Sequence, residues 1–249
     1  MPPESGSSPE SAPLELVTVR TGAELERGPH HQVMETVSEY REASGRTVLQ
    51  TNSITVLATG MSYLDQGQWL QTREEIEVLD TVAVARRGPH KAIWPLELGS
   101  GENVEVATAD AQRFVSQVLG LSYYDAGSGA SVLIAELKPS RAELAAPNKL
   151  VYRDAFEGVA ADLVYEYRRG SVAQEVVLRG RLPDPRELGL EPGTTRFEVV
   201  TEFLETPEPV IERVVVRAES DPARRVLMAE PDLTDDRLGF GEYTIGPGK

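Results

Sequence analysis

Histidine occurs three times, at His30, His31 and His90, and two of the three stand in the same short phrase. Arg27-Gly28-Pro29-His30-His31-Gln32-Val33 is echoed by Arg87-Gly88-Pro89-His90-Lys91-Ala92-Ile93. If the two turns lie together, His30 and His90 can share a metal ion with a nearby carboxylate, because imidazole and carboxylate are the ligands that a borderline cation selects. The competing reading is that each histidine braces its own turn through backbone hydrogen bonds. No HExxH-type spacing favours the metal, so no metal and no other cofactor is expected. The phrase itself reads as a turn that launches a strand. Glycine takes a positive φ, proline fixes the next φ, and a β-branched apolar residue follows.

Other chemistries find fewer footholds. Nucleophilic catalysis needs a serine or cysteine beside a base and an orienting group. Cysteine is absent, and Gly127-Ser128-Gly129-Ala130-Ser131 has the wrong order for a nucleophile elbow. Gly99-Ser100-Gly101 lacks the lysine of a phosphate loop, and Gly239-Phe240-Gly241 is isolated. Both read as turns. Paired carboxylates are the one catalytic device the composition can supply, since glycoside cleavage needs two acids facing across a cleft. Glu74, Glu75, Asp110, Asp125, Asp154, Asp162, Glu166 and Glu175 are available, but a chain with 40 acidic residues makes such pairs by chance. Asp162, which precedes a tyrosine-rich strand, is the most site-like of them. Calcium at Asp232, Asp235 and Asp236 lacks EF-hand spacing. Aromatic rings that stack on sugars are a further device, and Trp69, Trp94, Tyr63, Tyr123 and Tyr124 are the candidates, against the ordinary reading that such rings fill cores. The expected ligand-binding set is Trp69, Trp94, Tyr123, Tyr124 and Asp162.

Around these residues the chain is strand-like almost throughout. Leu14 to Arg20 reads as a first strand. Gln32–Tyr40 is ambiguous: Val33, Val37 and Tyr40 fit helical spacing, while Met34, Thr36, Ser38 and Tyr40 alternate weakly against Val33, Glu35, Val37 and Glu39. The absence of a run of helix formers and the Ser44-Gly45 turn favour a strand, with Thr47–Leu57 pairing back. Val132–Leu137 reads as a strand buried on both faces. Leu163, Tyr165 and Tyr167 share one face, and the Arg169-Gly170 turn joins them to Val172–Arg179 in the clearest hairpin of the sequence. Phe197, Val199, Thr201 and Phe203 line one side of a later strand. Val210, Val214 and Val216 line another. The 21 glycines and 17 prolines disfavour long helices; short helical turns fit Pro185–Leu188 and Pro222–Met228. Many short strands with regular turns, and no alternation with amphipathic helices, predict an all-β protein, an antiparallel β-sandwich or pair of packed sheets.

A formal net charge of −15 opposes binding to nucleic acid, whose phosphates demand clustered Lys and Arg. No run approaches the ~20 apolar residues of a membrane helix. The start, Met1-Pro2-Pro3-Glu4, has no positive region followed by an apolar one. Residues 1–13 are Pro, Ser, Glu and Gly with almost nothing to bury, and are expected to be disordered. Pro139–Pro147 is the most linker-like internal stretch. It would divide a β-rich subdomain over 14–139 from a second over 147–249, the two packed as one module.

Three blocks carry a resemblance. Asn148-Lys-Leu-Val-Tyr-Arg-Asp-Ala-Phe156, Ala161-Asp162-Leu-Val-Tyr165 and Gln174-Glu175-Val-Val-Leu178 resemble the N-terminal β-rich modules of large bacterial secreted and surface proteins, including those with Rhs/YD repeats and multi-domain proteins of verrucomicrobial and planctomycete type. Leu57–Tyr63, Gly67-Gln68-Trp69 and Val118–Tyr123 look like parts of the same module, so the likeness spans most of residues 25–205. It implies a non-catalytic structural or interaction module, extracellular or at the cell surface, whose partners are other domains of a larger parent protein or a cell-surface partner. Such proteins are normally exported, and this chain shows no signal and stops at Gly246-Pro-Gly-Lys249, as a fragment of a longer protein would. Two alternatives stand beside that expectation. One is a carbohydrate-binding or carbohydrate-cleaving β-sandwich with glycan as partner. The other is part of an Rhs-type toxin shell.

Overall fold

The structure is a computed structural model that describes residues 14–99, 101–228 and 230–248. The disordered tail expected over residues 1–13 lies outside them, as do Ser100 and Lys249. The protein is all-β and every strand pairing is antiparallel. Two compact units divide between Thr72 and Arg73.

The first unit is a meander of β1 (Glu15–Arg27), β2 (His31–Arg41) and β3 (Thr47–Leu57), followed by a hairpin of β4 (Ser62–Asp65) and β5 (Gln68–Gln71). The pairing of β2 with β3 runs over eleven residue pairs without a slip. It is set by the Ser44-Gly45 turn, where Gly45 takes a φ of 84° that a side chain would strain. By contrast, β1 meets β2 through three register shifts. The segment after β3 is tied back to the turn before β2. Ala58 N–H donates to the His30 carbonyl (3.0 Å) and Ser62 N–H to that of Pro29 (3.3 Å).

The second unit holds β6 (Glu77–Val78), β7 (Val82–Ala85), β8 (Lys91–Pro95), β9 (Glu97–Leu98), β10 (Val104–Ala107), β11 (Arg113–Asp125), β12 (Ala130–Glu136) and β13 (Ser140–Ala146). It continues with β14 (Lys149–Tyr152), β15 (Ala161–Arg168), β16 (Ser171–Leu178), β17 (Thr195–Glu205), β18 (Val210–Ala218), β19 (Asp232–Phe240) and β20 (Tyr243–Ile245). A seven-stranded sheet runs β12-β11-β10-β8-β7-β6 with β17 also on β11. A five-stranded sheet runs β16-β15-β14-β13-β9, and β18-β19-β20 form a third. The core lies between the first two. Trp94, Ala83, Ala92, Val118 and Leu121 come from one sheet, and Leu150, Tyr152, Leu163, Tyr165 and Tyr167 from the other. Leu163, Tyr165 and Tyr167 face it together, as their alternation predicts, and the β15–β16 hairpin turns at Arg169-Gly170. Helical turns form at Pro185–Leu188 and Pro222–Arg225, each capped by the preceding aspartate.

Several expectations are corrected. The stretch taken for a linker contains β13, paired with β9 on one side and β14 on the other. The break between units falls some seventy residues earlier, after Thr72. A strand sandwiched between two partners adopts the extended form whatever the modest β-propensity of Ser-Arg-Ala-Glu-Leu-Ala-Ala. Val132–Leu137 is not buried on both faces; β12 is an edge strand and Leu133 is exposed. Phe197 and Phe203 stay partly exposed while Val199 packs against the core, and Val210 is exposed, so the apolar stripe of β17 meets the core only in part and Val210 of β18 does not. Neither Gly28 nor Gly88 takes a positive φ. At Gly28 a Cβ would instead collide with the His31 ring.

Candidate interaction surface

The structure does not bring the expected site residues together. Among the described residues, no hydrogen bond or ring contact joins any two of Trp69, Trp94, Tyr123, Tyr124 and Asp162. Trp94 is 0% exposed, since β8 alternates Ala92 and Trp94 inward against Lys91 and Ile93 outward. It packs against Tyr165 (ring centroids 6.1 Å apart) and cannot stack on a sugar. Tyr123 is buried too; its hydroxyl donates to the Pro183 carbonyl (2.9 Å) and its ring meets Phe197 edge-on. Tyr124 is half-buried beside Ser131 and Arg196 in the ladder. Trp69, in the β4–β5 hairpin, is 38% exposed and is the most open of the candidate rings, Tyr63 and Tyr124 being half-buried.

Asp162 is buried and fully employed as a brace. It accepts from the Asp154 N–H (2.8 Å) and from Arg179 Nε (2.9 Å). That N–H belongs to a residue held at a φ of 50°, sparsely populated backbone for a non-glycine. Lys138 and Arg179 close on the Asp154 carboxylate from either side. The carboxylate at Asp162 therefore locks the turn between β14 and β15 through Oδ1, with Arg153 3.7 Å from its other oxygen. Asp125 plays the same part in the β11–β12 loop, where Ser128, Thr194 and the Gly127 N–H donate to it. The Ser128 and Thr194 hydroxyls hold its carboxyl down at about 2.

The histidines are braces as well. His30 Nδ1 accepts the Gly60 N–H (3.1 Å), and His90 is buried with its ring 4.8 Å from that of Tyr167, whose hydroxyl donates to the His90 carbonyl (2.8 Å). Burial lowers the His90 pKa, partly offset by backbone hydrogen bonds at Ser171 and Arg168. Among the described residues no group of three or more His, Asp or Glu is arranged to hold a metal, and Asp232 is engaged by Arg225 (2.6 and 2.8 Å). Glu198 is a carboxyl whose pKa is raised, by burial and by nearby Asp235, but it sits on the ladder opposite Ser122 rather than across a cleft from a second acid.

What the fold does leave open is sheet surface. In the first unit, residues directly opposite across the ladders share a face. One face gathers Leu16 and Val19 from β1, Met34 and Tyr40 from β2, and Val48, Ile54 and Val56 from β3. The other carries Glu15, Thr18, Arg20, Glu39, Arg41, Thr47 and Thr51 beside Val33, Val37, Leu49 and Leu57, and the first face also holds Glu24, Arg27, Thr36, Ser38, Gln50 and Asn52. The sheet is therefore amphipathic only in part, the first face being the richer in apolar residues. Yet Leu16, Val19, Ile54 and Val56 each leave between 43% and 55% of their surface exposed. Exposed apolar residues recur in the second unit on β18, where Val210, Ile211 and Val215 stand in water. The Met34/Thr36/Ser38/Tyr40 alternation foreshadows the apolar face of the first unit. The signal was the matching run Val48, Ile54 and Val56 in the strand that pairs with it.

No protein-family model, curated protein or solved structure matches this chain. No helix among the described residues is long and apolar enough to cross a membrane.

Proposed function

We propose that this chain is a non-catalytic interaction module of a bacterial secreted or surface protein, working outside the cell and covered in its working state by further protein. The observation that carries the reading is the half-exposed apolar face of β1–β3. An amphipathic sheet stabilises itself by placing its apolar side against a second layer, and here Leu16, Val19, Ile54 and Val56 remain in solvent. The apolar residues of this face fall in two clusters, Leu16, Val19, Tyr40 and Val48 at one end and Met34, Ile54 and Val56 at the other, parted by Thr36, Ser38, Gln50 and Asn52. Exposed apolar surface bordered by polar residues is what protein-binding surfaces present. Among the candidate acids and histidines, Asp125, Asp162 and His30 are spent on bracing turns. The covering protein would be other domains of a larger parent, of which an Rhs-type shell is one form, or a cell-surface partner.

The test is binding of an apolar fluorescent dye to the native full chain. Wild type is expected to bind it, and a quadruple variant Leu16→Ser, Val19→Thr, Ile54→Thr and Val56→Thr to lose most of the signal. A second reading, glycan recognition, keeps one specific support in exposed Trp69. A glycan array run with Trp69→Ala decides it: dye-silent protein that binds a glycan through Trp69 would replace the interaction reading.

A further inference from the structure

The two edges of the β1-β2-β3 sheet are built differently. β1 carries Glu15, Arg20, Glu24, Glu26 and Arg27 and is broken by three register shifts. Charges and bulges of this kind blunt an edge against pairing with another strand. β3, Thr47-Val-Leu-Gln-Thr-Asn-Ser-Ile-Thr-Val-Leu57, has no charged residue, no proline, no glycine and no bulge, and among the described residues pairs with no strand beyond β2. An uncharged edge of this length is otherwise a hazard that proteins remove.

The direction of its free groups follows from the hydrogen bonds at its two ends. Ala58 N–H donates to the His30 carbonyl, and Glu42 N–H to that of Arg46. In an antiparallel ladder, hydrogen-bonded pairs recur every second residue. Val48, Gln50, Asn52, Ile54 and Val56 therefore spend their backbone groups on β2. Thr47, Leu49, Thr51, Ser53, Thr55 and Leu57 turn theirs outward.

We propose that the occupant of this edge is a second copy of the chain, paired β3 to β3 about a two-fold axis through Asn52. This deepens the interaction-module reading and rests on it. Antiparallel pairing centred on Asn52 sets Thr51 against Ser53, Leu49 against Thr55 and Thr47 against Leu57. Each of these is an outward-facing residue meeting an outward-facing one, so about twelve ladder bonds form. The same register sets Val48 against Val56 and Gln50 against Ile54, which keeps both apolar faces on one side of a continuous six-stranded sheet. A closed two-fold contact must be self-complementary, and this strand satisfies that without juxtaposing any like charges. In a molecule of net charge −15 that is a demanding condition, since like charges opposite one another in a ladder repel.

The absence of cysteine makes the register directly testable. Asn52→Cys places one thiol from each copy at the non-hydrogen-bonded pair on the axis, with Cβ atoms about 4.5–5.5 Å apart, while Gln50→Cys sets its two thiols several residues apart. Under mild oxidation the full-length Asn52→Cys chain is expected to become disulfide-linked dimer and the Gln50→Cys chain to stay single. Sedimentation of the wild type should give twice the chain mass. Thr51→Pro removes one outward N–H and leaves the β2 ladder whole, so it should shift the protein to monomer with unchanged circular dichroism. Equal cross-linking of both cysteine variants, or a dimer indifferent to Thr51→Pro, would overturn the β3 pairing. A wild-type monomer that still binds the apolar dye would overturn the second copy as occupant and leave the interaction reading standing; a monomer that binds none would overturn both.

Discussion

Replacing Tyr165 by alanine gives the sharpest test of the core. The side chain lies between Tyr152, edge-on at 6.1 Å, and Trp94, tilted at 6.1 Å, and its hydroxyl donates to Gln174 Oε1 (2.9 Å). A buried aromatic removes about 150–200 Å² from water, worth about 4–5 kcal/mol at 25 cal/mol per Å². The retained Cβ and the hydroxyl's own desolvation reduce that, while the cavity left between two rigid rings adds to it. The net expectation is a loss of about 3–5 kcal/mol. For a unit of this size a urea slope of about 2–3 kcal/mol per M converts the loss to a midpoint about 1–2.5 M lower. Fluorescence of Trp94 in a Trp69→Phe background follows the second unit alone, because Trp69 belongs to the first. Tyr165→Phe separates the ring from the hydroxyl. Exposed Gln174 can turn to water, so that variant should cost about 1 kcal/mol or less. A Tyr165→Ala midpoint within ~0.3 M of wild type, well inside the expected shift, would refute the placement of Tyr165 at the centre of the core.

Burial holds His90 below its ordinary value of 6.5, so the unfolded chain takes up a proton that the folded chain refuses. Stability of the second unit should be full above pH 6.5 and decline as the pH falls below it. His90→Gln should flatten the difference between urea midpoints taken at pH 7.5 and 5.5. Asp162→Ala orphans the Asp154 N–H and should cost about 1–3 kcal/mol, with Asp162→Asn milder because an acceptor oxygen remains; equal losses from the two would discredit the brace. A Cβ at Gly120 would overlap the carbonyl of Ala135 on β12, the strand that pairs with β11 there. Gly120→Ala should therefore destabilise by about 1–3 kcal/mol in thermal melts, and a neutral result would mean β11 and β12 are farther apart.

The parts of the fold that the sequence made legible are those governed by local pattern. Leu163, Tyr165 and Tyr167 alternate cleanly and meet the core, and Thr47–Leu57 folds back after a glycine that the turn requires. Pro139–Pro147 was misread because β13 is held extended by neighbours on both sides, information that its own composition does not contain. Trp94 was readable as a core residue from the Lys91/Ala92/Ile93/Trp94 alternation. Treating tryptophan as a ligand platform set residue type above pattern. Asp162 was singled out for its setting, and the setting is real, but the partner arginine, Arg179, and the strained Asp154 are joined to it only by the closing of a turn. The candidate interaction surface went unseen because exposure of an apolar face is a statement about what does not pack on it.

The pairing of β11 with β17 has a consequence in time. β11 is complete at Asp125 and β17 at Glu205, about 80 residues later, so at about 5–20 residues per second the ribosome needs ~4–16 s to supply the second strand after the first. The β1–β3 meander involves neighbours in sequence and can close within microseconds to milliseconds of leaving the exit tunnel. During synthesis the first unit is thus finished while the longest ladder of the second still has one naked edge. A pause anywhere between Ala130 and Thr195 lengthens the interval in which β11 can take the wrong partner.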